Sequence, residues 1–600
     1  MKTILTFLGL ILVLAGFCSP SKSGFPRPLS AGDSVRGWII LSNNLKEGLK
    51  VIECAPEYDI NHLQLSHDII HDLKHVRDSR RLEIARALIR KAHDAGIQEV
   101  VVWDRALYSM DYYPERFRTG PGRTIDLDNP AFWEWFKNDY RSMLDSVPDI
   151  QGLIFTFIET GARVENQFSR KWLTNQEKLA AVVNAVADVV IGERGLNLYA
   201  RTFSYTYEEY ENITGAIKLF KYDQIRLMMK ETPHDFFLTH PNDFFAGSIA
   251  RPTIIEFDTG AEFNGQGIVA NTWPQHILDR WSDFLKRDHV VGYAARTDRY
   301  GDTQIPGRPS EINLYALKRY FEDRQITADD MYNEFITSRY GAEALPYIKA
   351  AFMNSFDIIT SVLYTLGTNT ANHSKLNYDP YRSTWGRHVS GKWLDPPVVF
   401  VKHGVNREFH YWKDVVSRLA PAWAKAGGTQ LDEVPWVVEQ QWLTQGELMD
   451  ETWLDYIITE KQYGVDLTLA SLEQVEKAKP YITREQYHNL YHYFNRTLLT
   501  AQLHKAVAAA YFGFRIYARG ESFRTPSLMA KVDHALHEIV RIAGEIRNYP
   551  VKTPAGQWNW VEDAGMALQY HEWITKGTWP EKTQGYPTGL NGIAFPLNPR

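Results

Sequence analysis

The sequence predicts an α/β protein: a (β/α)8 TIM barrel followed by an all-α C-terminal domain. Three observations carry this. Short apolar runs alternate with amphipathic stretches from about residue 35 to residue 300. The first run leads into Leu41-Ser42-Asn43-Asn44, not into the glycine-rich turn of a dinucleotide-binding open sheet. After Pro306 the runs become helix-length and amphipathic, with few alternating patterns.

The strand-length runs are 35–41, 60–65, 99–103, 152–157, 196–203, 224–229, 253–257 and 290–294. Their number and span suit a barrel. Between them, 80–92 and 176–190 keep apolar residues at i, i+3, i+4 and i+7, and 273–286 has Pro274 at its second position, where a helix tolerates it. The later helical runs are 310–323, 345–366, 447–458, 467–478, 484–517 and 527–548, with no fixed period that would mark a solenoid. The expected division is a signal peptide at 1–18, the barrel at 30–305 and a helical domain at 306–600.

Bulk properties narrow the function. A chain of 600 residues with 44% hydrophobic and 23% charged residues can bury large cores, and its net charge of -6 without a basic block excludes a nucleic-acid footprint. The surplus of aromatics, 18 Trp, 32 Tyr and 29 Phe, is absorbed mostly by such cores, with stacking on sugar rings a further use. Lys2 followed by the apolar stretch 4–17 reads as an export signal, too short to span a bilayer comfortably. The expected location is the periplasm or a lipid anchor on the cell envelope. Processing at Cys18 by lipidation and plain cleavage are both open, and either removal or modification of Cys18 leaves Cys54 as the free thiol.

Barrel enzymes carry their chemistry at the C-terminal ends of the strands. The residues expected there are His62 and His67 after run two, Trp103 with Asp104 and Arg105 after run three, Glu159 after run four, and Arg201 after run five. Run six supplies Lys230 and Asp235, run seven Glu256 and Glu262, and run eight Arg296 and Asp298. Several carboxylates, cations and rings at one mouth suit glycoside hydrolysis, which needs one carboxyl held protonated and another ionised. Phe155 and Phe157 are expected to crowd the acid and favour its protonated form. Two other patterns are discounted. Asp258-Thr259-Gly260 occurs once, whereas an aspartic protease needs two such aspartates. His67, His71 and His75 could line one helix face, but Asp68 stands where a zincin has its Glu.

These motifs resemble the alpha-glucuronidases of glycoside hydrolase family 67. The apolar run from Gly152 to Glu159 followed by Thr160-Gly161, Arg201-Thr202-Phe203, Lys230 with Pro233 and Asp235-Phe236, and Glu256-Phe257 with Glu262-Phe263-Asn264-Gly265 occur in the family's order. Phe155 departs from it, standing where the family has a Lys that helps hold the substrate carboxylate. The resemblance implies an inverting glycosidase acting on an acidic, alpha-linked oligosaccharide or polysaccharide without metal or organic cofactor. Glu159 would be the general acid, while Asp235 and Glu262 would activate and orient water. Arg201 and Lys230 would clamp an anionic substituent, with Trp103, His62, His67 and Glu256 also contacting substrate. The alternatives are a non-catalytic glycan-binding lipoprotein, or a polysaccharide lyase using Tyr205 or His234 as base.

Overall fold

The computed structural model describes residues 26–30, 32–119, 124–157, 159–203, 207–232, 235–238, 242–243, 245–365, 368–369, 371–376, 450–556, 558–578 and 592–598. The signal stretch, Cys18, Tyr205 and His234 lie outside them. The barrel strands are β1 (Val35–Ile40), β2 (His62–Leu65), β3 (Glu99–Arg105), β4 (Gly152–Thr156), β5 (Asn197–Thr202), β6 (Arg226–Lys230), β7 (Thr253–Phe257) and β8 (Val290–Arg296). Each pairs in parallel with its neighbour in sequence, and β8 closes on β1 with Val35 opposite Gly292.

Strand alternation divides the side chains between two cores. Val35, Ile39, Val101, Ile154, Tyr199, Met228, Ile254 and Ala294 fill the barrel. Leu63, Val100, Val102, Leu153, Phe155 and Leu227 point outward into the helical layer. The N-terminal end of the barrel is sealed by a buried polar network. His62 Nδ1 lies 2.6 Å from Glu99 Oε2, Tyr199 donates to the same oxygen at 2.6 Å, and Arg226 donates to Tyr199 at 2.9 Å and to the Leu29 carbonyl at 2.6 Å.

The barrel helices are α1 (Leu45–Cys54), α2 (Ser79–Asp94), α3 (Pro130–Asp145), α4 (Asn175–Ala187), α5 (Tyr207–Ile217) and α6 (Pro274–Phe284). Local chemistry sets their starts. The Asp78 carboxylate accepts from the Arg80 and Arg81 amides, Thr174 and Glu177 form a capping box, and Pro274 opens α6. α4 runs on into a π-helical turn, Asp188–Glu193.

Among the described residues, eight further helices follow: α7 (Glu311–Glu322), α8 (Ala328–Tyr340), α9 (Leu345–Met353), α10 (Ser355–Val362), α11 (Glu451–Ala478), α12 (Arg484–Tyr517), α13 (Pro526–Arg547) and α14 (Glu562–Lys576). The single helix expected over 345–366 is broken at Asn354, because both ends of the break are tied to the barrel. Thr272 Oγ1 donates to the Phe352 carbonyl at 2.9 Å, and the Ser355 hydroxyl donates to the Thr272 carbonyl at 2.7 Å. The two runs 447–458 and 467–478 are instead one helix from residue 451, with 447–449 outside the described residues.

The helical region clamps the loop that follows β7. From α12, Thr497 Oγ1 accepts from the Ala270 amide at 2.8 Å, Tyr493 accepts from the Asn271 amide at 2.8 Å and donates to its side chain at 2.7 Å, and Arg496 Nε donates to the Ile268 carbonyl at 2.9 Å. A loop held through its backbone amides and carbonyls cannot drift without losing buried hydrogen bonds. That loop carries Glu262.

Candidate active site

At the C-terminal mouth of the barrel, side chains from four consecutive strands and the loops after them form one network of alternating charge. Glu256, from β7, is fully buried. Its carboxylate receives Arg201 Nε of β5 at 2.7 Å and Nη2 at 3.2 Å on one side, and Arg296 Nε and Nη2 of β8 at 3.0 and 2.8 Å on the other. Burial alone would raise its pKa, but the two guanidiniums outweigh burial and bring it down to about 2. Arg296 then bridges through Nη1 to Glu262, which also takes Arg299 Nε at 2.9 Å and lies 3.1 Å from His373 Nδ1. Lys230 of β6 pairs with Asp235 at 2.7 Å and stands over the Phe203 and Phe236 rings at 3.9 and 4.7 Å. Four cations thus meet three carboxylates in these ion pairs, with Asp68 and Asp298 also acting on Arg299 and Asp258 lying close to Arg296. Arg201 places Nε and Nη2 on Glu256 and lies buried over the Trp103 and Phe203 rings, and Arg299 Nη1 is buried without a hydrogen-bond partner.

Glu159 sits at the same end of the barrel, beyond β4, exposed and at φ +59°. Its backbone carbonyl accepts from Arg105, whose guanidinium is anchored on Asp72, and its charge is felt by Arg105 and His71. It therefore belongs to the β2–β4 side of the mouth, with Asp235 and Glu262 on the β6–β8 side. His67, Thr259, Gln266, Tyr300, His373 and Ser374 join Glu159 at positive φ, all in the segments that build the mouth. Left-handed backbone at non-glycine residues costs on the order of 1–3 kcal/mol each and persists where the surroundings impose it. Here they do so visibly: Ser374 Oγ accepts from the Gly265 amide at 2.9 Å and donates to the Glu262 carbonyl at 3.3 Å, and Gln266 Nε2 donates to the carbonyls of Glu262 and His373.

Several expected roles need correction. His62 opens β2 at the sealed N-terminal end, hydrogen-bonded to Glu99, so it cannot reach a ligand at the mouth. Trp103 is 1% exposed; its face is covered by the Arg201 guanidinium at 4.5 Å, and its indole donates to Gln64 at 2.9 Å. It supports Arg201 and has no face left for a sugar. Glu256 lies beneath the arginines and orients them, without an exposed atom for substrate. Phe155 and Phe157 point into the helical layer by strand alternation, with Phe157 stacked on Phe220, so they form no wall around Glu159. His67, His71 and His75 do not share one helix face. His67 and His71 stack at 5.0 Å, His67 at φ +44°, whereas His75 belongs to the 3-10 turn Leu73–Arg77 and meets Arg81.

Other residues were missed or left without a role in the sequence. Arg296 ends β8, Arg299 and Tyr300 follow it, and the Arg299 guanidinium lies 3.7 Å from the Tyr300 ring. His373 arrives from the segment after α10 and stacks on Phe263 at 4.6 Å. Burial and the nearby Arg299 push its pKa down to about 3, so it is neutral beside Glu262. The Asp258 carboxylate accepts from the Glu262 and Phe263 amides at 2.9 and 3.1 Å, and burial pushes its pKa up to about 7. Asp298 accepts from the Leu41 and Ser42 amides, is pushed up to about 6 by burial, and holds the β8 loop against β1. Arg296 was legible at a strand end; Arg299, three residues further on, was not singled out, and nothing in the sequence near His373 marks it.

Neither a protein-family model nor a curated protein matches the sequence. Among solved structures, a variant of the O-GlcNAc hydrolase of Thermobaculum terrenum is similar at a TM-score of 0.41 and 10% identity, covering 90% of this chain and 94% of that chain. A 4-O-methyl-alpha-glucuronidase of glycoside hydrolase family 115, with specificity for decorated arabinogalactans, is similar at a TM-score of 0.48 and 9% identity. The match covers 90% of this chain and 62% of that chain, so this chain spans less than two thirds of that protein.

Proposed function

We propose that this chain is an exported glycoside hydrolase that cleaves an acidic, alpha-linked glycan by inversion, in the manner of an alpha-glucuronidase. The observation that carries the reading is the gathering of Arg201, Lys230, Arg296 and Arg299 at one mouth beside Asp235 and Glu262. A uronate carboxylate complements such a cluster of cations, and a guanidinium edge matches its geometry. Export rests on Lys2 and the apolar stretch 4–17.

In this reading Glu159 protonates the leaving oxygen, Asp235 takes the proton of the attacking water, and Glu262, held by Arg296 and Arg299, orients that water. The experiment is a hydrolysis panel of acidic and matched neutral oligosaccharides with purified protein. Release of a uronic acid without an ultraviolet-absorbing unsaturated product supports the reading. Cleavage of neutral sugars alone, or no product at all, removes it.

A further inference from the structure

A second cationic cavity lies away from the mouth, where α1, the segment after β8, and α12 meet. Its volume is about 620 Å³. Lys50, Arg308, Arg496 and Lys552 line it together with His488 and His492, and Glu53 is the one carboxylate among the lining residues. Glu53 is engaged elsewhere, 3.1 Å from Lys91. Arg496 is only 7% exposed, and its Nε is spent on the Ile268 carbonyl at 2.9 Å. No carboxylate of the described residues pairs with Arg496 or with Arg308, whose Nη2 meets only the Asp302 carbonyl and, at 3.4 Å, the Gln304 amide.

Asp302 and Glu47 act on Arg308 only from beyond ion-pair distance; two neighbouring arginines, one of them deeply buried, with no carboxylate in direct contact are costly to a fold, and a ligand anion lowers that cost. The field is felt by the neighbours. Burial, with Arg308 and against Tyr549, brings the Arg496 pKa down to about 10, and His492 is held below its usual range by burial, His488 and Arg496. We propose that this cavity is a second ligand site, taking a small molecule through an oxyanion, a carboxylate or a phosphate, seated against Arg496 and Arg308. It stands independently of the reaction assigned to the mouth. The cavity volume lies in the range of small-molecule pockets, large enough for the molecule that carries the anion as well as the anion itself. The site backs directly onto the loop 265–271 through Gly267 and Ile268, so its occupant would brace the loop that carries Glu262.

The test is calorimetric titration of the full chain with inorganic phosphate, with glucuronate, and with glucose as the uncharged control. Each titration is repeated in a Lys230→Gln background, which weakens anion binding at the mouth. Saturable binding of phosphate or glucuronate that survives Lys230→Gln, and weakens about tenfold or more in Arg308→Gln and Arg496→Gln, is the expected result. The tighter of the two probes identifies the source of the oxyanion. Should Arg496→Gln fail to fold, Arg308→Gln and the exposed Lys552→Gln carry the comparison. Binding of neither oxyanion, equal binding of glucose, binding indifferent to the arginine substitutions, or binding abolished by Lys230→Gln would each overturn the proposal.

Discussion

At the residue scale the site is a set of charges whose ionisation is fixed by neighbours. Replacing Glu256 by Gln leaves Arg201 and Arg296 facing each other without their shared carboxylate, and is expected to destabilise the fold by about 3 kcal/mol or more. The loss has a definite pH signature. The folded pKa is lowered from 4.5 to about 2, so the group's stabilisation is complete above 4.5 and disappears as pH falls through 2. The stability gap between wild type and Glu256→Gln should therefore close over that window in chemical melts. Asp258 behaves oppositely. Its folded pKa is raised from 3.8 to about 7, so the group favours folding below 3.8 and loses that contribution as pH rises to 7. Asp258→Asn should gain stability relative to wild type between pH 4 and 7, and a constant difference would contradict the assignment. For the ligand itself, losing Lys230 should weaken an acidic substrate by about 1.5–3 kcal/mol while sparing a neutral one. Equal losses would make the residue structural. Which residue types gather at the mouth was legible, because strand ends follow apolar runs. Which of them touch solvent was not: Glu256, Trp103 and His62 differ from Glu159 only in how far along the strand they sit and what covers them.

At the scale of elements, all eight strands were readable from apolar alternation, because parallel strands buried on both faces leave continuous apolar runs. The break at Asn354 was not readable, since it depends on Thr272, some eighty positions away in the chain. Close approach of strands has an equally sharp consequence at Gly292, where an added Cβ would stand 1.9 Å from the Val35 carbonyl oxygen. Gly292→Ala should force β8 from β1 and cost on the order of 3 kcal/mol, measurable by thermal melting; an unchanged midpoint would contradict the closure of the barrel at this seam. The clamp from α12 is testable separately. Tyr493→Phe leaves the Asn271 amide and side chain without their partner and should cost about 1–3 kcal/mol of stability. It should lower kcat more than it raises KM, because it loosens the loop of Glu262 without touching the clamp for the substrate anion.

At the scale of the molecule, the helical region is part of the site's construction. It fixes the loop after β7 through α12 and delivers His373 to Glu262. The change of texture after Pro306 made that region legible as helical, but its contribution to the mouth follows from tertiary contacts that no local pattern encodes. The central claim is that one carboxyl donates a proton across the mouth from another that activates water, which leaves about 6.5–9.5 Å between the two in an inverting enzyme. Glu159→Gln should abolish cleavage of natural oligosaccharides yet spare activated aryl glycosides in part, whereas Asp235→Asn should damage both. The most direct measurement is proton NMR of the first-formed product from an aryl alpha-glucuronide, taken before mutarotation. The account predicts the beta anomer of glucuronate; the alpha anomer, or an unsaturated uronate absorbing in the ultraviolet, would contradict it.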